Sequence, residues 1–476
     1  MSINSLFGSA RLSLHAQQIA MDTASHNIAN ASVEGYSRQR VDMVPNTPDL
    51  TPWGNIGTGV VVKDVTRVRD TLLDSTYRTQ NAQSNGYQTK NDLLTQISNV
   101  FGEPSDTGLS SQLDQFWSSW SDLANSPTST AAKSVVQQRG AQVASTLNRF
   151  ASSLDDIANT TRGQIQANVA DINRYSSQIA ALNVQIVTAE SAGQQAPDLR
   201  DQRDNAVDAL SKIVPVRTVE SASGAMSVYI NNDALVGDAT ARQLQVTNLT
   251  GPLTINIVGS STNLTGPGGS LGASLDAVNT DIPAAKQQLD ALAAQLVSKV
   301  NSLHEQGWSA AGDAAGGANW DPTLGPTGSN IDFFDPTKTS AATISLSADV
   351  ASSAAYVAAG NVQNGTGNNA IAQQMSGLSS DMTTIPKYGA PGQTSFGEYY
   401  RDFVTRLGVD TNDASASATV YQTLAQNTDA QRQSVSGVST DDELITLTQR
   451  QQAYAAAAKV ITTASDMGQT LLDMVR

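Results

Sequence analysis

Three histidines, His15, His26 and His304, are the first residues in this 476-residue chain that could move a proton or hold a metal. His15 and His26 fall on one helical stretch, about 16 Å apart along its axis, too far to share an ion. Their reading is structural. Serine is abundant, but no Gly-x-Ser-x-Gly elbow presents one as a nucleophile. The run GPGGSLG at 266–272 has no lysine behind it to reach a phosphate, and it lacks the acidic partner of a dinucleotide site. It reads as a flexible loop. Asp201, Arg203 and Asp204 in DLRDQRD have the spacing of charge pairs along one helix. Trp117 and Trp120, one turn apart, read as core anchors of a bundle. The absence of cysteine removes disulfides and thiolate metal sites. Neither a catalytic group nor a metal nor a cofactor is expected.

The elements that would position such residues are long helices. The net charge is -15 and charged residues make up only 15% of the chain. With no basic run, nucleic acid and anionic membrane surfaces are poor partners. No stretch approaches the roughly 20 apolar residues of a membrane helix, and no cleavable signal is visible. Helical patterns cover 64–101, weakened at Gly86, then 109–123, 130–191 and the segment DLRDQRDNAVDALSKI. After Pro215 the pattern alternates, as in Met226-Val228-Ile230, and predicts a small antiparallel β module. Helix returns over 282–304. Residues 307–340 read as loops around IDFF, and helices resume near Ser395. The expected fold is mainly α. Terminal coiled-coil helices come from 1–40 and 440–476. A bundle from both halves of the chain takes 41–215 and 270–439, loop-rich over 307–394. The β insertion is 216–269.

The two ends carry seams. Ile3, Phe7, Ala10, Leu14, Met21, Ala24 and Ile28 share a stripe in steps of four and three, with Gln17 as a polar intruder. At the other end the stripe is Leu444, Leu447, Tyr454, Ala458, Ile461, Leu472 and Val475. Thr440 to Glu443 reads as its capping box. A solvated helix face normally carries charge. Between Met1 and Val33 only Arg11 and Asp22 do, and between Leu444 and Ser465 only Arg450 and Lys459. Small uncharged outer faces suit helices surrounded by other subunits, and such ends are expected to order on assembly.

Short motifs flank these helices. HNIANASVEGYSRQRV, residues 26–41, carries Asn27, Ile28, Ala29, Asn30, Gly35 and Tyr36. This resembles the signature after the first helix of flagellar rod, hook and hook-associated proteins. Ser37, Arg38 and Gln39 narrow it to the hook-associated protein 1 (FlgK) family. The far end is similar to that family's last motif, through Ser436, Gly437, Val438, Glu443, Gln451, Gln452, Ala453, Tyr454, Lys459, Val460 and Ile461. LDQFWSSWSDLANSP, DLRDQRDNAVDALS and the run ending VNSLHEQG also fit, so the resemblance spans most of the chain. It departs at Val33 and Glu34, where the family often has Thr-Pro, and at Ser439, often Asn. The compact region between Val216 and Ala390 implies reduced outer domains.

The resemblance implies a structural subunit, not an enzyme, that joins hook to filament and is needed for filament assembly. Its implied partners are further copies of itself, the hook protein, a second hook–filament junction protein, and an export chaperone on the C-terminal helix. Export by the flagellar type III pathway would place it outside the cell. The alternative within the class is a hook or distal-rod axial protein. Outside it stand a surface enzyme and a soluble coiled-coil adaptor.

Overall fold

The computed structural model describes residues 3–51, 54–191, 193–248, 251–260, 263–310, 330–362, 367–387 and 391–475. Helix α1 (Ile3–Asn30) opens the chain. Strands β1 (Gln39–Pro45), β2 (Asp49–Thr51), β3 (Gly54–Ile56) and β4 (Val60–Arg67) follow as one antiparallel hairpin in two pieces, β1 on β4 and β2 on β3. Sequence patterning missed this hairpin and began a helix at 64. Residues 41–44 and 60–65 are all half-buried or exposed rather than strictly alternating, and a bulge between Asp42 and Met43 shifts the register. The helix starts instead at Thr71, where Asp70 Oδ1 accepts from the Leu72 and Leu73 N–H groups.

The bundle is built from α2 (Thr71–Phe101), α3 (Leu109–Asn125), α4 (Thr130–Glu190) and α5 (Pro197–Ile213). Helix α6 (Gly269–Asp276) then runs through a π-helical turn, Ala277–Asp281, into α7 (Ile282–His304). After two short helices, α8 (Ala348–Ser352) and α9 (Ala370–Gly377), the long α10 (Phe396–Ser436) packs back along α2. Tyr87 and Tyr421 stack across that contact at 5.1 Å. Helix α11 (Thr440–Val475) returns to pair with α1.

Helix α4 is the spine. Its 61 residues extend about 90 Å, and its two halves serve two cores. Val136 to Ala158 meet α3, α7, α10 and an aromatic cluster in which Phe116, Trp120, Phe333 and Phe334 are fully buried. Trp117 stacks on Phe396 at 5.7 Å. The IDFF piece, an irregular segment among loops, is therefore part of the core. Asn301 Oδ1 accepts from Phe333 and Phe334 N–H, and its amide donates to Phe334 O, which pins the segment in place. Residues 311–329 of the loop-rich stretch lie outside the described residues.

The second half of α4, from Ile165 to Ala180, shares a core with the β module. Its strands are β5 (Arg217–Glu220), β6 (Met226–Ile230), β7 (Asp233–Val236), β8 (Leu244–Thr247) and β9 (Thr254–Ile257). They form one sheet in the order β5-β6-β7 and a separate β8-β9 pair. Asn183 on α4 exchanges two hydrogen bonds with the Met226 peptide, and Asn173 does the same with Leu244. A helix-borne amide thus satisfies strand groups that would otherwise be unpaired. The glycine run, expected as a flexible loop, is loop only over 266–268 and from Gly269 opens α6. Gly269 lies so close to Ile213 that a Cβ there would sit 2.4 Å from its carbonyl oxygen. Gly86 of α2 in turn faces Gly269, where a Cβ would stand 3.1 Å from the Gly269 carbonyl oxygen. The weak point in that helix is a place of close approach.

Candidate assembly site at the base of the terminal helices

Helix α5 sorts its charges by face. Asp201, Asp204 and Asp208 follow each other in steps of three and four and point one way. Arg200 and Arg203 point another, toward the β module. Arg203 is fully buried, with Nη2 2.8 Å from Glu220 and Nη1 2.6 Å from the Gly224 carbonyl oxygen. Arg200 grips Glu190 at 2.6 and 2.8 Å. The expectation of pairing along one helix is corrected here. These charges pair across elements, because each helical acid row meets arginines from elsewhere.

The acid row meets Arg67 from β4, Arg69 before α2, Arg78 within α2 and Arg432 near the end of α10. Arg67 Nη1 lies 2.8 Å from Asp201 and 2.7 Å from Asp204. Arg69 bridges Asp204 at 3.1 Å and Asp74 at 2.8 Å. Arg78 reaches Asp204 at 3.2 Å and Asp208 at 2.6 Å. Arg432 closes the ring on Asp74 at 2.9 Å and Asp208 at 2.8 Å. Four guanidiniums face four carboxylates, so the buried charge balances. Burial pushes the Asp204 carboxyl up, but Arg69, Arg67 and Arg78 outweigh it and hold it well below the usual carboxylate range. Removing one member of such a set leaves an unpaired buried charge, which costs about 3–5 kcal/mol.

The motif after α1 docks on this ring. Asn27 is buried near the end of α1 and exchanges two hydrogen bonds of 2.9 Å with the Gln39 peptide. Its Oδ1 also accepts from the Tyr36 hydroxyl at 2.8 Å. His26 Nδ1 lies 3.1 Å from the same hydroxyl, and Asn30 donates back to the His26 carbonyl oxygen. Burial, with the carboxylates of Asp198, Asp201 and Glu443, pushes the Tyr36 phenol up. Gly35 has φ +77, and any Cβ there would lie 1.8 Å from Asn205 Oδ1. Ser37 gives both its N–H and its hydroxyl to Asp201, at 2.9 and 2.7 Å. Gln39 donates to Asp198. Arg38 acts through its backbone: its N–H donates to the Ser436 carbonyl oxygen at 2.8 Å, and its own carbonyl accepts from Val68. Ile28 is half-buried, and Ala29 is exposed.

The C-terminal motif meets the same point. Ser436 ends α10, and Gly437 donates to Gln433 O so closely that a Cβ would lie 2.3 Å from that oxygen. Val438 is half-buried. The cap of α11 is Ser439, whose hydroxyl accepts from Asp442 N–H, one residue before the expected box. Glu443 is buried, while Gln451, Gln452, Lys459 and Val460 are exposed and Ala453 is half-buried. A cleft of about 390 Å³ opens between the two motifs, lined by Glu34, Tyr36, Arg69, Tyr77, Lys212 and Asp429 among others. Among the described residues no cluster of His, Cys, Asp or Glu could hold a metal, and no helix is long and apolar enough to cross a membrane.

The terminal seam differs from its expected form. On α1 the buried positions are Ala10, Ala16, Gln17, Ala20, Ala24 and Asn27, while Phe7, Leu14 and Met21 are only half-buried. On α11 they are Glu443, Ala457 and Ala464, with Leu447, Ala458 and Ile461 half-buried. Gln17 faces Arg450 across the pair. Leu444, Tyr454 and Leu472, expected in the seam, are exposed by 51%, 38% and 66%. Alanines let the two backbones approach closely, and the longer side chains are displaced to the flanks. The side chains of Ile3 and Val475 lie outside the described ones. Patterning also missed a second apolar row on α11. Val460, Met467 and Met474 repeat every seven residues, flanking the Ala457–Ala464 seam on the side opposite Tyr454 and Leu472, and all three are exposed.

Sequence reading missed Arg67, Arg69, Asp74, Arg78, Asp208 and Arg432 as well. Two local signals were present, Asp74 four residues before Arg78 on α2 and Asp429 three residues before Arg432 on α10, but most of the ring's pairings join separate elements.

Comparisons with known proteins agree in the middle and at both ends. Residues 94–319 match the model of the flagellar hook-associated protein FlgK helical domain. Residues 10–36 match that of the flagella basal body rod protein, and 429–474 that of the flagellar basal body rod FlgEFG protein C-terminal region. Flagellar hook-associated protein 1 of Bacillus subtilis is 30% identical, over 95% of this chain and 94% of its own. That of Escherichia coli is 26% identical over 99% and 100%. In fold, the flagellar hook junction protein FlgK from Burkholderia pseudomallei superposes with a TM-score of 0.63 at 17% identity, over 76% of this chain and 100% of its own. The chain belongs to the flagellar hook-associated protein 1 family.

Proposed function

We propose that this chain is a structural subunit of the flagellum at the junction between hook and filament, where it is needed for the filament to assemble. The observation that carries this is the outward apolar surface of α11. Leu444, Ile445, Val460, Met467, Leu471, Leu472 and Met474 are exposed on a helix that is already paired. So much apolar surface on one helix marks a contact with other subunits. The ion ring and the Asn27 latch fix the terminal pair to the bundle, so each subunit presents that surface at a set angle. The match to the helical domain over 94–319 favours the hook-associated reading over a hook or distal-rod protein, with which the chain shares its ends.

Finer parts of the reading rest on the likeness to the family. The chain assembles with copies of itself in a ring or helix, below a second junction protein and above the hook protein. It leaves the cell by the flagellar type III pathway, and before export a chaperone covers α11. Deleting the gene tests the role. Cells should carry hooks without filaments and lose flagellin to the medium. Full-length filaments on the deletion strain would overturn it.

A further inference from the structure

The hairpin beside α1 projects a lone apolar side chain. Leu50 on β2 is 91% exposed, the largest exposure of any large apolar residue among those described. The outer piece β2–β3 is not a loose loop. Asn46 N–H donates to Gly59 O and its amide to Thr58 Oγ1, both at 2.9 Å, and Thr58 donates to Thr47 O. These bonds join it to the β1–β4 ladder. The hairpin also lies against α1: a Cβ on Gly59 would stand 3.2 Å from Ser9 Cα, while Gln39 at the other end is held by Asn27. Its tip therefore reaches past Ser9, toward the start of α1.

Lower on the same unit is an open groove of about 360 Å³ between α1 and β4. Leu12, His15, Ile19, Val61, Lys63 and Val65 line it. At roughly 30 Å³ per water it has room for about a dozen waters, ample for a leucine side chain. The tip and the groove complement each other in charge. Asp49, next to Leu50, is the single charged residue between 46 and 59. Lys63 is exposed on the groove, and neither group forms an ion pair among the described residues. Asp64, which also borders the groove, is already engaged by the Val65 and Gln195 N–H groups. Leu50 cannot bend back into its own groove. Asn55, its partner on β3, is five residues from Val60, up to about 17 Å of extended chain from the start of β4.

We propose that the Leu50 tip of one subunit seats in the α1–β4 groove of a second copy displaced along the helix axis, with Asp49 facing Lys63. The contact is heterologous, so it propagates from subunit to subunit and closes as a ring or continues as a helix. It rests on the self-assembly reading above and supplies that reading with a specific joint.

The chain has no cysteine, so a disulfide can test the joint without background. Flagella would be isolated from cells carrying Leu50→Cys together with Ile19→Cys, oxidised, and run without reductant. The expected result is a ladder of dimers and higher multiples of this chain that collapses on reduction and is missing from either single variant. Filamented flagella holding this chain only as monomer would overturn the joint and leave the junction role standing. Flagella that lack the chain would overturn the junction role itself. Should the double variant not assemble, a photo-crosslinking benzoyl-phenylalanine at position 50 gives the second readout. An adduct to peptides spanning 12–19 or 61–65 of this chain supports the joint, and an adduct to another axial protein overturns it. The charge pair adds a rescue: Lys63→Glu should cut the number of filamented cells severalfold, and Asp49→Lys added to it should restore them. Lys63→Glu without any loss would contradict the charge contact.

Discussion

The bundle and the terminal helix pair bury opposite kinds of side chain. In the bundle the large residues are inside, with Trp120, Phe116, Phe333 and Phe396 fully buried. In the pair the alanines are inside, and Leu444, Ile445, Met467, Leu472 and Met474 face outward. The bundle is complete within one chain. The pair leaves its larger apolar side chains outside, and on the proposed reading neighbouring subunits cover them. The difference teaches that a seam read from periodicity can belong to another molecule. Leu444, Tyr454 and Leu472 do recur as an apolar stripe, but close approach through Ala457 and Ala464 turns that stripe away from α1.

Substitutions should separate the two regions by size of effect. Trp120→Ala should destabilise the monomer most, by about 3–5 kcal/mol in denaturant unfolding, because the aromatic cluster around it cannot collapse into the space. A loss under about 1 kcal/mol would mean that the bundle is as loose as the pair. Asp204→Asn should cost about 3 kcal/mol or more by leaving Arg67, Arg69 and Arg78 short of a counter-charge. Because Asp204 titrates well below its ordinary range, its stabilising contribution is complete above the usual carboxylate pKa and falls away only in strong acid. The acid limb of the stability profile should therefore shrink in that variant.

His304 gives the bundle a second and milder pH limit. Nε2 accepts from Ala358 N–H at 3.0 Å while Nδ1 faces the Ile331 carbonyl oxygen at 2.6 Å. The ring is therefore neutral with its proton on Nδ1, and a second proton on Nε2 would meet another donor. Burial pushes it down to about 4 from an ordinary 6.5. The unfolded chain takes up that proton first, so stability is full above pH 6.5 and falls as pH drops toward 4, by about 3 kcal/mol. A His304→Asn variant should lack this step. The smallest effect belongs to the pair: Leu472→Ser should change monomer stability by less than about 0.5 kcal/mol yet reduce the number of filaments per cell. A large loss in the monomer would place Leu472 in an intramolecular core.

How far the sequence was legible depended on whether a residue's partner lay nearby in the chain. Helices over 109–123, 130–191 and 282–304 were readable because their apolar spacing and their caps are local. The cap of α11 was readable to within one residue. The hairpin over 39–67 was hidden because it lies between α1 and solvent without a strictly alternating face. The ion ring was hidden for a different reason. Arg432 and Asp74 are far apart in sequence, and no local rule pairs them. The buried asparagines carried a usable signal. Asn is a poor helix former, yet Asn27, Asn183 and Asn301 are buried and Asn173 half-buried on long helices, and each one clamps an extended segment. The family motif Asn-Ile-Ala-Asn could be recognised from sequence, but its physical task, holding the Gln39 peptide and the Tyr36 hydroxyl, required the fold.

Amide hydrogen exchange, compared between purified monomer and assembled flagella, tests the central claim most directly. The claim is that the bundle is finished within one chain and the terminal pair is finished by its neighbours. It predicts slow exchange for α3, the first half of α4 and α7 in both samples. For α1 and α11 it predicts fast exchange in the monomer and slow exchange only in the assembly. Terminal helices as protected in the monomer as α4 would contradict it.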